Sequence, residues 1–244
     1  MRFFEAGDLD DGCRARMAAY DGFVRERVGT RFTYPLRMRD WELDQVLQRL
    51  PTRPITGAML DTGSFNTYLG LWLARLARRV VIGDLYAARL KRSVMRRLGL
   101  LPPKATEAPF FAWYRAMKRG ADNIEIRSLD VTRLASTGGT FDLITSISVI
   151  EHIPDVERAL AEMYRCLVPG GRLLVTTDCA ETGKPFSQGV RYFTRDELAR
   201  LFAPYPVTSE PRSPDFRREN WCYRKDRPLL TGFVEVTKPL SALA

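Results

Sequence analysis

Short apolar runs alternate with helically spaced segments from residue 55 onward. Such alternation is typical of βαβ units, in which the strands lie parallel and helices cover the sheet. Because the runs are apolar throughout, we expect an α/β fold with a mostly parallel sheet covered on both faces. The predicted strands cover 55–60, 80–83, 124–126, 141–146 and 172–177, the last entered through a turn at 169–171, and the predicted helices cover 68–78 and 155–167.

Residues 1–50 are mostly polar and have a helical pattern. Apolar residues recur at helical spacing over 40–50, which predicts an amphipathic helix that ends at Pro51-Thr52-Arg53-Pro54. We expect residues 1–50 to form an N-terminal helical cap or lid, and residues 51–244 to form the α/β domain.

The stretch 85–123 is long for one crossover and is interpreted as an insertion. It carries Pro102-Pro103 and then the aromatic residues Phe110, Phe111, Trp113 and Tyr114. These aromatic side chains either wall a substrate pocket or belong to a helix that packs on the core, and the sequence leaves both interpretations open.

The C-terminal part of the chain has a weaker pattern. Thr194 followed by Glu197 predicts a capping box at the start of a helix over 194–202. Alternating residues predict a late strand over 232–237, whereas 204–228 is rich in proline and arginine and is expected to be irregular.

The chain carries a net charge of +9, mostly from arginine. The excess either attracts an acidic partner such as nucleic acid, or reflects arginines scattered over solvated faces. Cys13, Cys166, Cys179 and Cys222 are far apart and His152 is the single histidine, so we expect reduced thiols and no zinc site. No signal peptide or membrane-spanning run is visible, which predicts a cytoplasmic protein.

Acidic and polar residues mark the carboxyl ends of four predicted strands. They are Asp61-Thr62-Gly63, Asp84, Asp130 and Ser146-Ile147. Ligands of open parallel sheets bind beyond the carboxyl ends of the strands. The four features together therefore predict a ligand site at that edge of the sheet.

The order of these motifs resembles the class I S-adenosylmethionine (SAM)-dependent methyltransferases, especially a small-molecule group with a Glu-His-Ile-Pro-Asp segment. The resemblance covers about residues 55–180. It implies a Rossmann-like, doubly wound, mostly parallel seven-stranded sheet with an N-terminal helical cap, and SAM as the cofactor, with S-adenosylhomocysteine (SAH) as product. The segments that carry it are Leu60 to Gly63, Ile82 to Asp84, Leu129 to Val131, Phe141 to Ile144, Val149 to Asp155, Leu167 to Gly171 and Arg191 to Leu198.

The resemblance implies cofactor-binding roles for the first two strand ends. Gly63, preceded by Asp61 and Thr62, would let the backbone approach the methionine part of SAM, since glycine has no Cβ. Asp84, with Leu85 beside it, would accept hydrogen bonds from the ribose hydroxyls, as an acidic residue does in dinucleotide-binding folds.

The next two strand ends would hold the other parts of SAM. By the same resemblance, Asp130 would accept a hydrogen bond from the adenine amino group while Val131 donates its backbone N–H. Ser146 and Ile147 would line the pocket near the sulfonium. No metal ligand is assigned.

The first loop departs from the family pattern. Phe65 and Thr67 stand where the family commonly has its second and third glycines. In NAD-binding folds those glycines admit a pyrophosphate and a closely packed helix. Because SAM has no phosphate, the departure argues against NAD or FAD more than against SAM.

His152 has two interpretations. It is either a general base that removes a proton from the methyl acceptor, or a structural histidine at the start of a helix. Glu151 with His152 also resembles ubiquinone-pathway O-methyltransferases, in which acidic residues hold a divalent metal. Ser148 stands where that pattern expects a further acid, so we expect no metal site.

We therefore predict a SAM-dependent methyltransferase that transfers the methyl group to an O, N or C atom of a small molecule. One alternative is a nucleic-acid methyltransferase, favoured by the basic charge but lacking the Asn/Asp-Pro-Pro-Tyr/Phe segment that enzymes acting on base amines generally carry. A second is a non-catalytic SAM-fold binding module, in which the ring of Phe65 would fill the cofactor site. The sequence does not identify the acceptor or the oligomeric state.

Overall fold

The computed structural model of the chain describes residues 1–29, 37–63, 67–85, 95, 100, 107–134, 139–221 and 228–240. The strands within them are β1 (Arg2–Phe3), β2 (Ile55–Thr62), β3 (Ala77–Asp84), β4 (Ile124–Ser128), β5 (Phe141–Ile147), β6 (Leu167–Ala180), β7 (Lys184–Ser187), β8 (Val190–Tyr192) and β9 (Leu229–Thr237). The α-helices are α1 (Asp11–Val28), α2 (Arg37–Leu47), α3 (Leu69–Leu73), α4 (Glu107–Gly120), α5 (Val156–Cys166) and α6 (Arg195–Phe202).

Seven strands form one sheet in the order β1-β9-β6-β5-β2-β3-β4. Strands β2 to β6 pair in parallel, β9 runs antiparallel to β6, and β1 runs antiparallel to β9. Strands β7 and β8 form a separate hairpin. The predicted α/β fold with a mostly parallel seven-stranded sheet is confirmed.

Helices cover both faces of the sheet, which makes the fold doubly wound. Met59 and Val80 point into a core built with α1 to α4, and their chain neighbours Leu60 and Val81 point into a second core built with α5 and α6. The alternation arises because successive side chains of a strand face opposite sides. Helices α1 and α2 therefore pack on the sheet, and the N-terminal helical part of the fold prediction is confirmed.

Helix α4 lies in the stretch that the sequence left open. Trp113 and Met117 on this helix are fully buried in the first core. The indole Nε1 of Trp113 donates to the carbonyl oxygen of Thr67 at 2.5 Å. These contacts favour a core-packing helix over a substrate-pocket wall for residues 107–120, while 86–94, 96–99 and 101–106 lie outside the described residues.

The predicted helix over 68–78 is wrong at its C-terminal end. Helix α3 stops at Leu73, and β3 begins at Ala77. Leu76 continues the helical spacing of apolar residues, but its carbonyl oxygen accepts a hydrogen bond from the backbone N–H of Ile55 at 2.8 Å. Pairing with the neighbouring strand therefore outweighs the local helical pattern.

The C-terminal elements follow the sequence pattern with one correction. The capping box of Thr194 and Glu197 is present at the start of α6, and the late strand is β9. The turn expected at 169–171 instead lies inside β6, where Gly170 has φ +77° and its N–H donates to the carbonyl oxygen of Lys238. Hydrogen bonds to Lys238, which follows β9, extend β6 toward its N-terminal end through Gly170 and Gly171.

The described thiols are single and buried. Cys13, Cys166 and Cys179 are free, as expected, and Cys222 lies outside the described residues. No helix in the described part of the chain is long and apolar enough to cross a membrane.

Candidate functional site

A cleft of about 390 Å³ opens at the carboxyl ends of β2, β3, β4 and β5. Its position is the one that open parallel sheets use for ligands. Six of the residues predicted from the sequence line it, namely Gly63, Asp84, Leu85, Asp130, Val131 and His152. Residues separated by up to 89 positions therefore meet around one cavity because the parallel strands end at the same edge.

Gly63 brings the chain close to the cleft wall after β2. Its φ is +63°, in the left-handed region that favours glycine, and its N–H donates to the carbonyl oxygen of Gly83 at 2.7 Å. A Cβ at this position would lie 2.3 Å from Cγ2 of Val149, which also lines the cleft. Only glycine fits here, so the backbone itself forms this part of the wall.

Asp84 ends β3 and lines the cleft with its half-buried side chain. Its Oδ1 accepts a hydrogen bond from the backbone N–H of Leu85 at 2.6 Å, which orients the carboxylate. Leu85 is 53% exposed, and such a large apolar side chain beside the cleft offers a surface for a flat ring. The pair presents a hydrogen-bond acceptor and an apolar surface side by side.

Asp130 follows β4 and is held as an anion. Its Oδ1 accepts from the backbone N–H of Thr132 at 2.9 Å and from the Thr132 hydroxyl at 2.7 Å. These hydrogen bonds lower the pKa of the Asp130 carboxyl. An exposed acceptor therefore stands at the far end of the cleft, next to Val131.

Asp61 is fully buried near the end of β2 and does not line the cleft. Its Oδ1 accepts from the Thr145 hydroxyl at 2.6 Å, while its Oδ2 has no hydrogen-bond partner among the described residues. Burial raises the pKa of Asp61 to about 7, against the smaller opposing effect of the Thr145 hydrogen bond. Such an orphaned acceptor behind Gly63 is suited to a cationic group.

Thr62, Ser146 and Ile147 also lie outside the cleft lining. The Thr62 hydroxyl donates to the carbonyl oxygen of Thr145 at 3.0 Å, which ties β2 to β5. Ser146 is fully buried, and its Oγ has no partner among the described residues. The strand-end pattern therefore located the right edge of the sheet, but the first motif contributes only Gly63 to the cleft lining and the last motif contributes neither of its residues.

The Asp61→Asn substitution is expected to change how the free energy of unfolding depends on pH. The folded pKa of Asp61, about 7, lies above its ordinary value of 3.8, so its stabilising contribution is complete below pH 4 and lost as pH rises toward 7. Relative to the wild type, Asp61→Asn should therefore gain about 2–3 kcal/mol of unfolding free energy between pH 5 and 7. Urea denaturation at the two pH values measures the difference.

The exposed Asp122 offers a matched control for that titration. Asp122→Asn should shift stability by the same small amount at both pH values, since no buried carboxyl is removed. A pH-independent effect of Asp61→Asn would contradict the raised pKa.

His152 stands on the opposite wall of the cleft, at the end of a 3-10 turn over Ile150–His152. Its Nδ1 lies 2.9 Å from the carbonyl oxygen of Gly189, in the hairpin of β7 and β8. A carbonyl oxygen only accepts, so Nδ1 carries the proton in this contact. In this tautomer Nε2 is the nitrogen left to accept a proton.

Sequence reasoning missed several residues that line the cleft. Leu129, Val149 and Asp155 also line the cleft, and all three lie within segments that carried the resemblance. Phe65 lies outside the described residues, so its proposed role in filling the site has no structural counterpart here. Thr67 is buried and anchors Trp113 through its carbonyl oxygen, away from the cleft.

None of the described residues form a group of three or more His, Cys, Asp or Glu side chains arranged to hold a metal ion. Ser148, which interrupts the acidic pattern, instead donates its hydroxyl hydrogen to Oε1 of Glu42 at 2.5 Å.

Comparison with known proteins gives one family match and partial relatives. Residues 104–175 match the sequence model described as "Methyltransferase domain". A demethylmenaquinone methyltransferase of Lactiplantibacillus plantarum is 36% identical over 90 residues, which is 34% of this chain and 36% of that protein. The chain thus spans well under half the length of the curated relatives it matches.

Solved structures share the fold at low sequence identity. A putative methyltransferase of Bacillus halodurans has a TM-score of 0.56 and 14% identity, covering 81% of this chain and 98% of that one. The [4+2]-cyclase SpnF has a TM-score of 0.54 and 15% identity, covering 81% and 80%. Taken together with the domain match, these comparisons show that the chain has the fold of methyltransferases.

Proposed function

We propose that this protein is a SAM-dependent methyltransferase that acts on a small molecule. The observation that carries the proposal is the cleft, because it joins a glycine-only backbone approach at Gly63 to acceptors at Asp84 and Asp130. The fold alone does not determine the reaction, since one protein that shares it is described as a cyclase. The proposal therefore depends on the residues that line the cleft.

The residues present fit SAM along the length of the cleft. The orphaned Oδ2 of Asp61 suits the positive charge of the methionine part, and Gly63 leaves room for its approach. Asp84 would accept from the ribose hydroxyls, with Leu85 against the adenine, and Asp130 with Val131 would hold the adenine edge. Ser146 and Ile147 would support the sulfonium end from beneath the cleft.

SAM supplies a methyl carbon activated by the attached sulfonium. The chain then has to bind the acceptor in line, exclude water and manage one proton. Positioning of this kind is worth about 7–11 kcal/mol of the barrier. His152, held through Nδ1 by the carbonyl oxygen of Gly189, would remove the proton from the acceptor through Nε2.

Methyl transfer is tested with SAM that carries a labelled methyl group. The folded protein should move the label from SAM into small molecules of a cell extract and release SAH in equal amount. Label appearing in the RNA fraction, with a steep salt dependence of binding, would instead support the nucleic-acid alternative. SAH release without labelled product would contradict methyl transfer.

Quinone-type acceptors are the second candidate. Curated relatives are named for demethylmenaquinone and for ubiquinone/menaquinone biosynthesis, although each aligns over only part of its length. The same labelling experiment with a hydroquinone acceptor separates this candidate from others.

The His152→Asn substitution is expected to slow methyl transfer without weakening cofactor binding. The Asn amide can still donate to the Gly189 carbonyl oxygen, but it offers no basic nitrogen. We expect His152→Asn to lower kcat by about 100-fold or more, with the SAH dissociation constant within about twofold of wild type. An unchanged kcat in a folded variant would assign His152 the structural role.

A further inference from the structure

The hairpin of β7 and β8 lies outside the main sheet and is tied to it at its base. The two strands form a separate two-stranded sheet. Phe193, directly after β8, accepts a hydrogen bond through its carbonyl oxygen from the backbone N–H of Ala180 at 2.7 Å, and Ala180 is the last residue of β6. The turn at the other end of the hairpin is exposed, so further contacts have to hold it in place.

The turn of the hairpin presents a backbone acceptor to the proposed base. Ser187 pairs with Val190, and the two residues between them have φ of +53° at Gln188 and +84° at Gly189. Two positive φ values are typical of the type I′ turn of a two-residue hairpin loop. In this conformation the carbonyl oxygen of Gly189 lies 2.9 Å from Nδ1 of His152. The conformation of the turn therefore decides where this acceptor stands.

Arg191 ties the hairpin to the cleft wall a second time. Its Nη2 donates to the carbonyl oxygen of Pro154 at 2.5 Å and lies 3.5 Å from the carbonyl oxygen of Ile153. The guanidinium carbon lies over the rings of Phe186 and Phe193, at 5.7 Å and 5.5 Å from their centroids. Such cation–π contacts orient the guanidinium group. Arg191 is thus held between the aromatic rings and the backbone of the wall.

Three successive residues of the cleft wall contact this hairpin. His152, Ile153 and Pro154 all line the cleft. The Gly189 carbonyl oxygen contacts the first of them, and the Arg191 guanidinium contacts the backbone of the other two. A single attachment would let the hairpin pivot, whereas two attachments fix its position against the wall. The contact between Gly189 and His152 therefore depends on Arg191.

The ring of His152 needs such support because it is exposed. Packing restrains an exposed ring little, and a neutral imidazole can carry its proton on either nitrogen. A carbonyl oxygen accepts but does not donate, so the contact with Gly189 favours the form with the proton on Nδ1. Only that form leaves Nε2, the nitrogen that does not contact the hairpin, able to accept a proton.

We infer that Arg191 is a positioning residue for methyl transfer. By holding the hairpin against Ile153 and Pro154, it keeps the Gly189 carbonyl oxygen on Nδ1 of His152, so that Nε2 takes the proton of the methyl acceptor. Arg191 does not line the cleft, and it acts through His152. The inference rests on the proposed function and adds to it the residue that sets the tautomer of the base.

Nitrogen-15 NMR of the folded protein tests the inference, because His152 is the only histidine. Its two ring nitrogens therefore give the only imidazole signals, and a protonated ring nitrogen has a chemical shift well separated from that of an unprotonated one. At alkaline pH, where imidazole is neutral, we expect the wild type to carry the proton on Nδ1. A wild type with the proton on Nε2 would overturn the inference without any variant.

The Arg191→Met substitution removes the hydrogen-bond donor but keeps an apolar side chain against the two phenylalanine rings. We expect the proton of His152 to move to Nε2 in most molecules of this variant. Arg191→Lys should restore protonation of Nδ1, at least in part, because its ammonium group can still donate to the Pro154 carbonyl oxygen. Arg195→Met, at an exposed position at the start of α6, should match the wild type.

The rate of label transfer from SAM gives a second readout. Arg191→Met should transfer the labelled methyl group at least tenfold more slowly than the wild type at saturating SAM, since a misplacement of about 1 Å costs about 100-fold in rate. Arg191→Lys should recover most of the rate, and the SAH dissociation constant should stay within about threefold in both variants. A lower melting temperature with an unchanged tautomer and an unchanged rate would leave Arg191 a structural role alone and overturn the inference.

The outcomes separate this inference from the proposed function. If the wild type binds SAH but folded Arg191→Met keeps the proton on Nδ1, the inference fails while the proposed function stands. If the folded wild type does not bind SAH, both fail.

Discussion

Replacing Asp84 with alanine is expected to weaken SAH binding by about 10- to 100-fold. A carboxylate that accepts two hydroxyl hydrogen bonds is worth about 1.5–3 kcal/mol, and the ribose would lose that acceptor. Asp84 lines the cleft, and its orientation is set by the N–H of Leu85. Isothermal titration calorimetry of the variant with SAH measures the loss directly.

Two further variants make the Asp84 result specific. Asp84→Asn retains one acceptor oxygen and should lose less affinity than Asp84→Ala. Asp122→Ala removes an exposed acid outside the cleft lining and should leave the affinity unchanged. If wild type and Asp84→Ala bind SAH with equal affinity, Asp84 does not accept hydrogen bonds from the ribose hydroxyls.

The Gly63→Ala variant is expected to lose both stability and SAH binding. Alanine at φ +63° costs about 1 kcal/mol, and its Cβ would lie 2.3 Å from Val149 Cγ2. Relieving such overpacking costs about 1–3 kcal/mol more and moves the cleft wall. We expect a loss of about 2–4 kcal/mol in urea denaturation and SAH binding weakened by more than 100-fold.

Gly139 separates the two causes of this effect. Its φ is +71°, close to that of Gly63, but a Cβ there would meet nothing within 4 Å. Gly139→Ala therefore measures the backbone cost alone and should leave SAH binding intact. If Gly63→Ala is too unstable to study, the double variant Gly63→Ala/Val149→Ala removes the clash with the Val149 side chain. Wild-type SAH affinity in Gly63→Ala would contradict the close approach of the Gly63 backbone to the cofactor.

Much of the fold follows from the apolar pattern. Strands β2, β3, β5 and β6 are buried on both faces, so their apolar runs marked them even though their ends shifted by a few residues. Short elements escaped detection because they have too few residues to show a period. Strand β1 has two residues and pairs with β9, where the partner of Arg2 is Phe233, 231 positions away, so only the tertiary structure supplies this partner.

The candidate site was predictable where backbone geometry dictates residue type. Gly63 and Asp84 stand at strand ends, where a left-handed glycine and an acidic acceptor leave local marks in the sequence. Ser146 and Ile147 show the limit of that reasoning, because both are buried and neither lines the cleft.

Glu42 shows what the sequence pattern conceals. It lies in the amphipathic helix predicted over 40–50, where only the apolar residues carried the prediction. In the structure Glu42 is buried, and its Oε1 accepts a hydrogen bond from the hydroxyl of Thr176, which lies 134 positions away. No local pattern reports a contact of that separation, so this burial is visible only in three dimensions.

Titration of the folded wild-type protein with SAH tests the central claim most directly, with NAD as the matched nucleotide. We expect one SAH site per chain with a micromolar dissociation constant, and no measurable NAD binding, because Phe65 and Thr67 stand where NAD-binding folds have glycines. Folded protein that shows no heat of SAH binding, or that binds NAD in preference, would contradict the account.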